Sequence, residues 1–99
     1  MALSGDYGKP RPALVVQSDF FSAHPSVTIL PVTSDLREAP LFSIAVEPTT
    51  ENNLKKISQV MVDKIQTVPC EKVGPVFGRL NDMEMLSVNR ALALWLGFA

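Results

Sequence analysis

Lys9-Pro10-Arg11-Pro12 runs directly into Ala13-Leu14-Val15-Val16-Gln17, and this junction decides how the chain is read. Proline locks its own φ and pushes the residue before it into extended backbone. Pro12 therefore marks the mouth of a strand, and Arg11 is held extended between two prolines. The apolar run that follows is short and β-branched, which suits a buried strand better than a helix. A long cation fixed at a strand entrance is placed to meet an anion. The ordinary alternative is an exposed arginine flanking a core strand.

Ninety-nine residues fit one domain, taken here as 1–99. With 46% hydrophobic residues, a core without disulfide support is expected. Cys70 is the only cysteine, which leaves no internal disulfide and no multi-thiolate metal site. That usage points to a reducing cytoplasm. The chain has no apolar run near the roughly 18 residues that a membrane span needs. Met1 to Asp6 lacks the basic start and apolar stretch of a signal peptide. Formal net charge is −1, which argues against nucleic-acid binding through bulk charge. Distribution can override the total. Lys9, Arg11, Arg37, Lys55, Lys56 and Lys64 all fall in the first two thirds of the chain.

Taken outward from the junction, Ser4 to Lys9 carries Gly5 and Gly8 and reads as a mobile loop. Ser18 to Ser26 is a connection, with one helical turn at Asp19-Phe20-Phe21-Ser22. Val27 to Val32 is a strand that Pro31 should confine to a sheet edge or terminate. Thr33 to Pro40 is a charged loop. Phe42 to Glu47 is a third strand with Phe42, Ile44 and Val46 on one face. Pro48 to Asn53 is a turn in which Asn52-Asn53 tolerates left-handed backbone. Gln59 to Val62 and Ile65 to Val68 are further strands, and Val73 to Leu80 is a kinked one. Asn81 with Glu84 predicts a capping box opening a helix, Met85, Val88, Leu92 and Trp95 form its apolar stripe, and Gly97 ends it.

Taken alone, the candidate chemical groups have ordinary readings. Thr33 and Ser34 are hydroxyls at the start of a turn, where bonding to nearby backbone is common. His24 is the only imidazole and sits in a proline-containing loop, where a solvated ring is the usual outcome. Lys55-Lys56 reads as a solvated face, and Asp63-Lys64 as an exposed ion pair. Glu47 and Glu51 flank a turn and give no sign of acting as paired carboxylates. No nucleophile–base arrangement and no glycine-rich phosphate loop stands out.

Four blocks together resemble the MazF/PemK family of bacterial toxins. They are Gly8 to Gln17, Leu30-Pro31-Val32-Thr33, Ser58 to Ile65, and Val73-Gly74-Pro75-Val76-Phe77-Gly78-Arg79-Leu80. The resemblance implies a mainly β fold with a C-terminal helix, a small SH3-like barrel of the CcdB/MazF/PemK type. It implies a homodimer. With one histidine and one cysteine in the chain, no metal and no cofactor are expected. The activity the resemblance implies is sequence-specific cleavage of single-stranded RNA, including mRNA. It also implies a MazE/PemI-like antitoxin whose flexible acidic tail occupies the RNA groove. Catalysis falls on Arg11 and Thr33, and RNA contacts on Lys9, Pro10, Ser34, Arg37, Lys64 and Gln66. Gln66 stands where relatives often carry arginine. The first strand is expected to be incomplete, a stub at Met1-Ala2-Leu3 that leaves one neighbouring strand with an unpaired edge.

RNA carries its own nucleophile, the 2′-hydroxyl beside each phosphate. The protein must orient it, move its proton and stabilise the charged phosphorane. The planar fork of arginine matches phosphate oxygens in pairs, and its very high pKa makes it a poor base. Arg11 is therefore assigned first to transition-state charge and only second to proton transfer, and Thr33 to a hydrogen bond on a phosphate oxygen. Two other readings stand beside this one. One is a non-catalytic gyrase-binding toxin like CcdB, which carries a C-terminal Trp-Gly-Ile where this chain has Trp95-Leu96-Gly97-Phe98. The other is an inactive truncated remnant.

Overall fold

The computed structural model describes residues 2–6, 11–17, 23–38 and 42–98, with 2–6 described at the level of the backbone. The expected turn at 19–22 and the calls on Lys9 and Pro10 lie outside the described residues. Seven strands and one α-helix run in the order β1 (Ala2–Asp6), β2 (Pro12–Val15), β3 (Ser26–Thr33), β4 (Ser43–Val46), β5 (Ser58–Met61), β6 (Gln66–Pro69), β7 (Val73–Arg79) and α1 (Asp82–Leu96). Every pairing among the described residues is antiparallel, in the order β4-β5-β3-β2-β1-β7, with β6 also on β3. No pairing joins β4 to β7 among these residues, so the expected barrel does not close there.

β3 is the hinge of this architecture. On one side it pairs with β2 through Ile29, Leu30 and Pro31. On the other it pairs first with β6, through Ser26 to Ile29, and then with β5 at Val32 and Thr33. The edge position expected from Pro31 is therefore corrected: Pro31 lies inside a central strand. The Val16 N–H donates to the Thr28 carbonyl at 3.1 Å, so Thr28 turns its backbone groups toward β2. Alternation along the strand turns the Pro31 nitrogen the other way. It falls in the gap where β6 has ended at Ile29 and β5 begins at Val32, so no ladder donor is lost.

Other expectations also change. Ser4-Gly5-Asp6, read as loop, belongs to β1. That strand, expected as a stub, pairs on both sides, with β2 from Leu3 to Gly5 and with β7 from Ala2 to Asp6. Val62 leaves the ladder for a 3-10 turn, Val62–Lys64, and becomes a fully buried core residue there. Asn53 alone of the asparagine pair adopts left-handed backbone, at φ 54°. Asn52 is buried instead. Its side chain accepts from the Thr49 and Leu54 N–H groups and donates to the Glu47 carbonyl.

The core follows from period-two alternation. Leu14, Leu30 and Val32 point to one face of β2–β3 and meet Val46, Val60 and Val62. Helix α1 covers this face with Val88, flanked by Met85 and Leu92. Both reciprocal bonds of the Asn81–Glu84 capping box form. Gly97, at φ 81°, closes the other end: its N–H reaches Leu94 O and the Phe98 N–H reaches Ala93 O, a Schellman pattern. Trp95, the last residue of the expected stripe, remains half exposed and packs edge-on against Phe42, ring centroids 5.3 Å apart. No helix among the described residues is long and apolar enough to cross a membrane.

Candidate active-site cleft

The opposite face of β2–β3 builds a cleft of about 680 Å³. Its floor is the set that alternation directs away from the core: Ala13 on β2, then Ile29, Pro31 and Thr33 on β3. Met61 of β5 and Val68 of β6 extend the floor, because both strands pair with β3 on this side. The floor is thus mostly apolar, and the charged groups stand around it.

Arg11 and Thr33 flank the end of the β2–β3 ladder: its last pair is Ala13 with Pro31, two residues short of each, and at Thr33 β3 pairs with Gln59 of β5. Both line the cleft. The Thr33 hydroxyl oxygen accepts the Asp35 N–H at 3.0 Å, the turn bond that its sequence position suggested. This bond uses an oxygen lone pair and leaves the O–H proton free to donate outward. One interaction thus orients the hydroxyl and starts the loop.

The loop after β3 brings Ser34, Asp35 and Arg37 to the rim, and the 3-10 turn and β6 bring Lys64 and Gln66. Of the eight residues assigned to the site from the sequence, the six within the described residues therefore share one cleft: Arg11, Thr33, Ser34, Arg37, Lys64 and Gln66. Asp63 and Lys64 do not form the expected ion pair. Among the described residues the ion pair is Asp35–Arg37 at 3.6 Å, with both side chains well exposed.

His24 lies elsewhere. It lines a separate hollow of about 230 Å³ with Gln17 and Thr67, and its Nδ1 accepts the Ser26 N–H at 3.0 Å.

Sequence reasoning missed two residues. Asp35 is the one acid among the described residues lining the cleft. Gln59 on β5 pairs with Thr33 across the ladder, and its side-chain amide holds the backbone of Arg37. In the run 58–62 Gln59 was one of two polar residues, with Ser58, and Asp35 was one acid in a charged loop; neither pattern marks a site residue.

Comparison with known proteins fits this geometry. The family model described as PemK-like, MazF-like toxin of type II toxin–antitoxin system matches residues 2–96. A probable endoribonuclease MazF of Mycolicibacterium smegmatis is 43% identical over 99 residues, covering 99% of this chain and 91% of that protein. Among solved structures, the Mycobacterium tuberculosis toxin MazF-mt6 superposes with a TM-score of 0.86 at 23% identity, covering 98% of this chain and 97% of that one. An endoribonuclease from a mycobacterial species, solved in complex with its cognate antitoxin, matches with a TM-score of 0.79 at 25% identity, covering 99% and 92% of the two chains.

Proposed function

The chain belongs to the family of PemK-like, MazF-like toxins of type II toxin–antitoxin systems, which are endoribonucleases, and on that premise we propose that its cleft binds single-stranded RNA and cuts it with Arg11 and Thr33. The observation that supports the reading is that Arg11 and Thr33 line the same cleft. A cation whose fork matches phosphate oxygens and a hydroxyl with a free proton face the same space. The 2′-hydroxyl of the RNA attacks the adjacent phosphorus. Arg11 stabilises the charge on the phosphorane oxygens, and Thr33 donates to one of them. The bond to the 5′-oxygen breaks as that oxygen takes up a proton, in net terms the one the 2′-hydroxyl loses, leaving a 2′,3′-cyclic phosphate and a 5′-hydroxyl. The nucleophile belongs to the substrate, so the reaction proceeds without a metal.

Lys64, Arg37, Ser34 and Gln66 flank this centre and suit a polyanion crossing the cleft. Lys9 and Pro10, next to Arg11 in sequence, belong to the same proposal as RNA-binding residues. The chain acts as a cytoplasmic homodimer, in which a second copy lengthens the basic groove. It pairs with a MazE/PemI-like antitoxin whose acidic segment folds over the cations as it binds.

The test is end-group analysis of RNA cut by the purified protein, with and without chelator. Cyclic phosphate ends and undiminished cleavage in chelator are expected. Ends bearing a 5′-phosphate, or activity abolished by chelator, would mean a metal-activated water and overturn the assignment.

A further inference from the structure

We propose that the Asp35 carboxylate is the general base of the cleavage, the group that takes the proton of the attacking 2′-hydroxyl; this rests on the reading of the cleft as the RNA site. The reaction needs a proton acceptor, and the cleft narrows the choice. Arg11, Arg37 and Lys64 carry donors and no lone pair to receive a proton. The hydroxyls of Thr33 and Ser34 and the amide of Gln66 accept hydrogen bonds but are too weakly basic to hold a proton near neutral pH. Asp35 supplies the one carboxylate among the described residues lining the cleft. His24, the one imidazole of the chain, lines the separate hollow, and its Nδ1 is already engaged by the Ser26 N–H.

Position and availability agree with this role. The Asp35 N–H donates to the Thr33 hydroxyl oxygen at 3.0 Å, so the backbone of the base is tied to the residue that donates to the phosphate. The 2′-oxygen adjoins that phosphate, within the short reach of an aspartate beside Thr33. The Asp35 side chain is 79% exposed, and its carboxylate lies 3.6 Å from Arg37, longer than a hydrogen bond. No hydrogen bond to it closes among the described residues, so its lone pairs remain available for a substrate hydroxyl. Arg37 beside it offsets the repulsion that a carboxylate meets in a cleft suited to phosphate.

In the step, the 2′-hydroxyl proton passes to an Asp35 carboxylate oxygen as the bond from the 2′-oxygen to phosphorus forms. Arg11 and Thr33 hold the phosphorane oxygens. The bond from phosphorus to the 5′-oxygen then breaks, and that oxygen takes a proton from water. The carboxylic acid gives its own proton to the hydroxide left behind, which restores the carboxylate and closes the proton balance. The guanidinium thus handles charge and the carboxylate handles the proton. A positioned general base typically contributes about 10²–10⁴-fold to the rate.

The experiment measures single-turnover cleavage of one RNA at saturating enzyme across a pH series, with RNA affinity determined on the same variants. Asp35→Asn keeps the shape of the side chain and the backbone bond to Thr33 and removes the basic site. Its rate should fall by roughly 10²–10⁴-fold. Its affinity should hold or rise, since a negative charge leaves the cleft. The native rate should climb from acid pH as the carboxylate ionises, and Asp35→Asn should lose that limb. Arg11, Arg37 and Lys64, the charged groups that share the cleft with Asp35 among the described residues, take up no further proton in acid. An Asp35→Asn enzyme that cuts at the native rate overturns the proposal, including the case where only its RNA affinity rises, because Asp35 would then merely temper binding. So does a slowed variant that keeps the native acid limb, because Asp35 would then act only by positioning Thr33. Arg11→Ala separates the two levels of the argument. If Arg11→Ala cuts at the native rate, the reading of the cleft itself fails. If it is inactive while Asp35→Asn keeps the native rate, only the assignment of the base fails.

Discussion

Gln59 on β5 and Arg37 in the loop after β3 are joined by two hydrogen bonds, Arg37 N–H to Oε1 at 2.8 Å and Nε2–H to the Arg37 carbonyl at 2.7 Å. A primary amide thus caps a loop segment as a neighbouring strand would. The same Gln59 pairs across the ladder with Thr33. The strand end that carries a catalytic candidate and the loop that carries a cation are therefore tied to one residue.

Replacing that residue should uncouple the loop from the sheet. Gln59→Leu keeps most of the volume and removes both bonds. Neutral hydrogen bonds contribute about 1 kcal/mol each, so stability should fall by roughly 1–2 kcal/mol. In steady-state assays KM for RNA should rise more than kcat falls, because Arg37 loses its fixed position while Arg11 keeps its own.

A second prediction concerns the turn that supports β7. Asn52 is buried and satisfies two backbone N–H groups and one carbonyl. Asn52→Ala leaves those groups without partners and should cost on the order of 2–4 kcal/mol. Gly78 packs against the same turn, where an added Cβ would meet the carbonyl oxygens of Asn52 and Glu51, the latter at 2.8 Å. Gly78→Ala should therefore also lower the Tm. Thermal unfolding followed by circular dichroism reads both.

The helix cap gives a control remote from the cleft. Asn81→Ala removes one half of the capping box and should cost about 1 kcal/mol. For a domain of this size that is a Tm shift of roughly 4–8 °C. The specific activity of the folded fraction should not change.

Lys64 stands on the rim, exposed, with its ammonium free to meet phosphate. Lys64→Ala should weaken binding about equally for RNAs of different sequence. It should also flatten the dependence of log K on log salt by roughly 0.7, the increment for one phosphate contact on a single strand. Fluorescence anisotropy across a salt series measures it.

Much of this organisation was legible in the sequence because local rules and tertiary demands agreed. Asn81, Glu84 and Gly97 named the ends of α1, and both capping motifs form. Pro12 named the mouth of β2. Pro31 misled, because the rule that keeps proline off central strands assumes a partner on both sides, and here the partner on one side changes from β6 to β5. Ser4 to Asp6 misled because a glycine and polar residues signal a loop, while pairing with both β2 and β7 holds them as a strand. Asp35 and Gln59 were not legible as site residues. Gln59 takes its meaning from a contact with the loop residue Arg37, 22 residues away in sequence, and Asp35 from its place on the cleft rim, and no local pattern encodes either.

The account turns on Arg11 as the group that stabilises the phosphorane. The most direct measurement is the single-turnover cleavage rate of Arg11→Lys at saturating enzyme, with RNA affinity measured on the same variant. Lysine keeps the charge and loses the paired geometry. Affinity should be largely retained, since phosphate binding follows charge count. The rate should fall by roughly 10²–10³, the loss seen on removing one oriented transition-state donor. An Arg11→Lys enzyme that cuts RNA at the native rate would contradict the account, leaving Arg11 as a binding residue and the catalytic group elsewhere in the cleft.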